Sequence, residues 1–136
     1  MSEQRSFFKL FANDVGLLCA MAEMDVVKSI LGDRLGVNYG SIYENAVAQE
    51  LAAHGHALRF FRSKGIGELD FVIESGEGWA LPIEVKSGKD YKRHSALTKV
   101  LASPNYEIKQ AVVLCEGNVR CEDKVGYLPV YMAAFL

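Results

Sequence analysis

Apolar residues along the chain alternate between two periods, and the switch between them marks the elements. From residues 13–23, Val15, Leu17, Leu18, Met21 and then Met24 fall on one side of a 3.6-residue repeat, which predicts a helix capped by Asn13 or Asp14. Residues 25–31 carry Val26, Val27, Ile30 and Leu31 at similar spacing, with Gly32 as a stop, so a second short helix is expected. A turn through 36–40 leads to the clearest helix, over 41–53. Ser41 and Glu44 have the form of a capping box there, and the pattern ends at His54, Gly55 and His56.

Beyond that point the repeat shortens to two. Residues 58–62 read as a short aromatic strand, 64–67 as a turn, 68–73 as a second strand and 79–86 as a third, with 74–78 as the hairpin between the last two. Pro82 lacks an N–H for the ladder, so a bulge or an edge position is expected there. Helical spacing returns at Ser95, Leu97, Val100 and Leu101 and closes at Pro104, before a wholly apolar strand over 110–115. Periodicity leaves 125–136 open between a strand and a helix. A helical lead-in followed by the order α-β-β-β-α-β predicts a mixed α/β sheet with helices on its faces.

Length changes this picture little: 136 residues suit a single domain, with 1–36 as helical lead-in and 37–136 as core. Charge is less accommodating. A formal net charge of -2 lacks the basic excess of many nucleic-acid binders, although clustered carboxylates lower the total and phosphate contacts need only a local basic patch. Cys19, Cys115 and Cys121 match neither a disulfide framework nor a zinc-knuckle spacing and are expected to be reduced. With no leader pattern and no span long enough for a bilayer, a cytoplasmic protein without membrane contact is expected.

The chemistry concentrates on the predicted hairpin. Asp70 and Glu84 lie on its two strands, and Lys86 shares the side of Glu84 because side chains alternate, while Val85 points into the core. Two carboxylates and the Val85 backbone carbonyl are hard oxygen donors of the kind Mg²⁺ or Mn²⁺ takes. Beside them an ammonium can orient an attacking water or offset charge on a phosphoryl transition state. Lys89, Lys92, Arg93 and Lys99 follow with only Asp90 opposing, and they are the candidate phosphate contacts. His54 and His56 read as a polar helix end, Trp79 as hairpin packing, and Glu68 as a solvated side chain that points to the opposite side from the acids or packs near the turn.

Asp70 followed by Pro82-Ile-Glu84-Val-Lys86 resembles the PD-(D/E)xK signature of restriction-endonuclease-like domains, with the proline moved to precede the second acid. That resemblance implies a restriction-endonuclease-like core, a divalent-metal-dependent deoxyribonuclease activity, DNA as partner, and Glu44 as a further metal-associated residue on the preceding helix. A wider resemblance rests on Lys9 to Leu18, on Tyr43-Glu44-Asn45 with Glu50-Leu51, on Glu68-Leu-Asp70-Phe-Val, and on Pro82 to Gly88. Together these are similar to the C-terminal domain of unknown function of prokaryotic AAA-type ATPases. The implied setting is a detached C-terminal portion with an ATPase domain as partner, since no GxxxxGK[ST] occurs in the chain. On this view the apolar lead-in around Phe7, Phe8 and Leu17 was shaped for a neighbouring domain, and a homodimer would cover it.

Each signal has a plainer reading. Carboxylates and a lysine at a strand end also make surface ion pairs, which are worth little. Glu44 is fully explained by a capping box, and a glutamate bonded back to Ser41 cannot reach a metal. The competing function is therefore a non-catalytic nucleic-acid- or protein-binding module with a degenerate site.

Overall fold

The computed structural model describes residues 8–22, 28, 32 and 39–136. Helix α1 spans Val15–Met21, and Asp14 caps it by accepting the Leu17 N–H at 2.8 Å, which decides between the two expected caps. Of the helix expected over 25–31 only residue 28 is described, and it is helical; its other residues, the turn before residue 39 and Phe7 lie outside the described residues. Phe8, Leu10, Leu17 and Met21 are all exposed apolar side chains of the lead-in.

Helix α2, Gly40–Ala53, starts one residue earlier than expected. Its cap is Tyr39, which makes no side-chain bond, and the Tyr43 N–H reaches the Tyr39 carbonyl at 2.9 Å. Ser41 thus stands inside the helix, no capping box is formed, and Glu44 is free of that role. Its end follows the expectation: Gly55 takes a φ of 85°, which a residue with a Cβ resists, and the His56 N–H bonds to the Leu51 carbonyl at 2.9 Å in a Schellman closure.

Strands β1 (Phe61–Ser63) and β2 (Gly67–Leu69) form a separate antiparallel ribbon. Strand β3 is Phe71–Glu74 and β4 is Ala80–Val85. The expected strand over 68–73 is therefore two strands broken at Asp70, which bends the chain from the ribbon into the main sheet. Helix α3, Ser95–Ala102, carries the chain across to β5, Ala111–Cys115. Strand β6, Arg120–Glu122, has no buried residue and gave no apolar signal. Residues 125–136 resolve into both alternatives, strand β7 (Val125–Pro129) and then a 3₁₀ helix, Val130–Phe135.

The five-stranded sheet has the order β3-β4-β5-β7-β6, antiparallel at both ends and parallel in the middle. Parallel neighbours need a crossover, and α3 provides it between β4 and β5. Alternate side chains feed two cores. Phe71, Ile83, Val112 and Leu114 pack against Val47 and Leu51 of α2, while Val113, Cys115 and Tyr127 pack against Leu97 and Val100 of α3. Both faces are covered, which is why β5 is buried at every position and reads as a continuous apolar run.

Pro82 takes the second of its two expected alternatives, an edge position without a bulge. The register from Phe71↔Ile83 to Glu74↔Ala80 is unbroken, and β4 is interior, but its pairing with β5 begins only at Ile83. The proline thus sits where the strand is paired on one side alone. Among the described residues, no helix is long and apolar enough to cross a membrane.

Candidate functional site

At the end of the sheet the strand break puts Asp70 beside β4. Continuing the β3–β4 register by one residue sets Asp70 opposite Glu84, and its Oδ2 accepts the Val85 N–H at 2.8 Å. That bond holds the carboxylate in place and shows the Val85 backbone acting through its N–H as a donor to Asp70. Glu84 lies in register with Val113 and so shares the face that packs on α3, where its side chain is nearly buried. Lys86, two residues on, returns to the same side and places Nζ 2.7 Å from Glu84 Oε1. The other oxygen, Oε2, is buried and has no hydrogen-bond partner.

A second group of carboxylates meets Asp70 from other elements. Glu44 on α2, Glu68 on β2 and Asp70 at the bend all face the ammonium of Lys9, at 3.5, 2.8 and 3.6 Å respectively. Arg62 approaches Glu68 from the ribbon at 3.9 Å. Glu68, expected to be solvated or packed at the turn, is thus a member of the cluster; two residues before Asp70 in an extended chain, it shares that side, and this was the signal that could have found it. Lys9 was missed as a site residue because it is distant in sequence and lies on a segment with no regular period.

Burial first, and neighbouring negative charge second, raise the pKa of two of these acids, Glu84 and Glu44. Glu84 is pushed up by burial first and by the Asp70 charge second, against the lowering effect of Lys86. Burial also raises Glu44, reinforced by Asp70 and opposed by Lys9. For Lys9, burial works against the charged form, yet the Glu68 hydrogen bond and the charges of Glu44 and Asp70 outweigh it and hold its pKa above the usual lysine value. It is a permanent cation at neutral pH.

The remaining candidates stand apart from this centre. Lys92 is exposed and donates to Glu122 at 2.6 Å, so one of the four basic residues is committed to β6. Lys89, Arg93 and Lys99 are exposed and form no ion pair with a described residue. His54 Nδ1 meets the Glu50 carbonyl at 2.8 Å and His56 Nε2 the Leu136 carbonyl at 2.9 Å, both structural contacts. The Trp79 indole N–H donates to Glu77 at 2.9 Å, within the hairpin as expected.

For a divalent ion the donor set is suitable in kind, being all hard oxygen, and Glu84 Oε2 is an acceptor in want of a positive partner. The arrangement is not converged: among the described residues, no three of the acids, histidines or cysteines come together as a ready ion-binding group. Lys9 and the Val85 N–H already engage the Asp70 oxygens.

No curated protein and no solved structure matches the chain significantly. Residues 39–133, from the start of α2 to the 3₁₀ helix, match the model of a family described as a domain of unknown function (DUF4143). Since that match spans well over half of the chain and contains Glu44, Glu68, Asp70, Glu84 and Lys86, the protein belongs to the DUF4143 family.

Proposed function

We propose that this domain is a PD-(D/E)xK-type nuclease that hydrolyses DNA phosphodiester bonds with the help of Mg²⁺ or Mn²⁺. The observation that carries the reading is the state of Glu84: a buried carboxylate with one oxygen on Lys86, the other without a donor, and Asp70 beside it. Buried charge of this kind costs the fold stability, and groups kept at such a cost cluster at functional sites. The succession α2, β1, β2, β3, β4, α3, β5 has one strand more than the α-β-β-β-α-β order of the resemblance, because the run over 68–73 is split at Asp70 and β1 and β2 stand apart as their own ribbon. Counting that split run as one strand supports a restriction-endonuclease-like order.

Asp70 and Glu84 would hold the ion, with Glu44 contributing from α2. Such an ion supplies polarisation of a phosphodiester oxygen and stabilisation of the charge that develops on the departing one. The protein's own part is positional. Asp70 is pinned by the Val85 amide, and Lys86 is partly exposed at the mouth of the site, where its ammonium can meet a phosphate oxygen or orient the attacking water. Beside Glu68, Arg62 and Lys64 line a groove of about 470 Å³ and add cationic surface close to the carboxylates.

A second reading draws on Lys9. An ammonium shared among three carboxylates is also a structural clasp, as a non-catalytic binding module with a degenerate site would keep it. Incubation with plasmid, single-stranded and branched DNA in Mg²⁺ and in Mn²⁺ separates the two. A nuclease cleaves at least one substrate, loses cleavage but not Mn²⁺ binding in Lys86→Ala, and loses both in Asp70→Ala. Should the protein neither cleave nor bind Mn²⁺, the binding-module reading stands. Cleavage by Lys86→Ala at the parent rate under saturating metal would remove the lysine from the mechanism.

A further inference from the structure

Lys9 does not reach the carboxylates by chance of a flexible tail. The segment before α1 is clamped to α2: the Ala12 N–H donates to Asn45 Oδ1 at 2.7 Å, the Asn45 amide donates back to the Ala12 carbonyl at 3.1 Å, and the Val15 N–H donates to Gln49 at 3.1 Å. Phe11 packs its ring 5.5 Å from that of Phe71 in the core. These contacts form a strap that fixes where residue 9 lies. Its ammonium is then brought to Glu44, Glu68 and Asp70, acids from three different elements.

Charge at this end of the sheet is unbalanced. Glu44, Glu68, Asp70 and Glu84 face Lys9, Lys86 and, at 3.9 Å from Glu68, Arg62, so the acids outnumber the cations. Glu84 Oε2 independently marks the place where positive charge is wanting, since that side chain is more than nine-tenths buried and the oxygen has no donor. Lys9, meanwhile, makes one short contact and two long ones, a geometry that a rigid structural salt bridge would improve upon. Among the described residues Lys86 pairs with Glu84 and no other acid, so it covers one carboxylate where Lys9 spans three.

We propose that Lys9 is an intramolecular cation that occupies the carboxylate cluster in competition with a divalent ion, so that the strap sets the metal affinity of the site. This rests on the metal-site reading above and adds its regulation: loading requires the ammonium to withdraw from Glu44 and Asp70, and anything that lifts the strap off Asn45 and Gln49 favours loading.

The test is Mn²⁺ binding to the full chain, followed by paramagnetic resonance of free Mn²⁺, for the parent, Lys9→Met and Lys9→Arg. Methionine keeps the apolar stem and deletes the charge; it should tighten the dissociation constant by roughly tenfold, a modest share of the attraction between unit charges about 4 Å apart at a protein surface. Arginine should leave the parent value nearly unchanged. A measurement that needs no variant accompanies it: on adding Mg²⁺ to the parent, the Lys9 Nζ resonance should move toward that of a solvent-exposed lysine. Equal Mn²⁺ affinity in parent and Lys9→Met, or a Lys9 resonance unmoved by saturating Mg²⁺, overturns the competition while leaving the metal site intact. Absence of binding in all three proteins overturns the metal site, and the competition with it.

Discussion

Glu84 shows how a single residue can work against the fold that holds it. Its carboxyl is raised above the ordinary range by burial and then by Asp70, so in the metal-free protein its charged form is less stable folded than unfolded. The sign follows from that. A raised acid contributes stability that is complete below its unfolded value, and this is lost as pH rises through the folded value. Glu84→Gln, which mimics the protonated form, should therefore raise the melting temperature at pH 7 by a few degrees, the scale of about 1 kcal/mol in a domain of this size. Thermal unfolding from pH 7 downward checks it: the difference between variant and parent should vanish as the pH falls below the ordinary glutamate value of 4.5. A lower melting temperature in Glu84→Gln at pH 7 would mean that the Lys86 pair outweighs the burial. Asp70, Glu84 and Lys86 were legible as a group because the strand period places them together. Lys9 and Glu44 joined them for reasons no local pattern carries.

At the scale of elements, α2 organises both the site and the strap. Its buried face presents Asn45, Val47, Ala48 and Leu51, and Asn45 is the polar member that binds Ala12 through both amide atoms. Asn45→Ala removes both bonds and strands the Ala12 polar groups, at a cost of about 1–3 kcal/mol. Hydrogen exchange should show where the cost falls. The Ala12 and Val15 amides should exchange faster, while those of β5 change only by the shift in global stability; equal acceleration everywhere would mean that the strap and the sheet open as one unit. The helix pattern over 41–53 was readable, yet the Ser41–Glu44 capping box was not formed. A box and an ion-pair cluster compete for the same glutamate, and the cations and helix start decided the outcome. Likewise the run over 68–73 gave no local sign of a break at Asp70, because an aspartate is compatible with either a strand or a bend; pairing with two different partners broke it.

The whole molecule rests on β5, which lies in the middle of the sheet with its side chains in both cores. Leu114 is fully buried there, opposite Val85 in the strand that carries Glu84. Leu114→Ala should cost about 2–5 kcal/mol, a large part of the stability of an ordinary domain, and urea unfolding should show it as a lower midpoint with one cooperative transition. If the two cores instead unfold separately, two transitions will appear. The sequence alone determined the class of the protein and most of its elements: helical spacing marked α1, α2 and α3, apolar runs marked β4 and β5, and the pair of acids with Lys86 stood out from strand alternation. Those are local properties, carried by spacings of two to four residues. Tertiary structure alone decided the strand order, the ribbon split off at Asp70, and above all the meeting of Lys9 with Glu44, Glu68 and Asp70. Such meetings depend on the strap's bonds to α2 and on the packing of both sheet faces, interactions between residues tens of positions apart that no short-range pattern encodes.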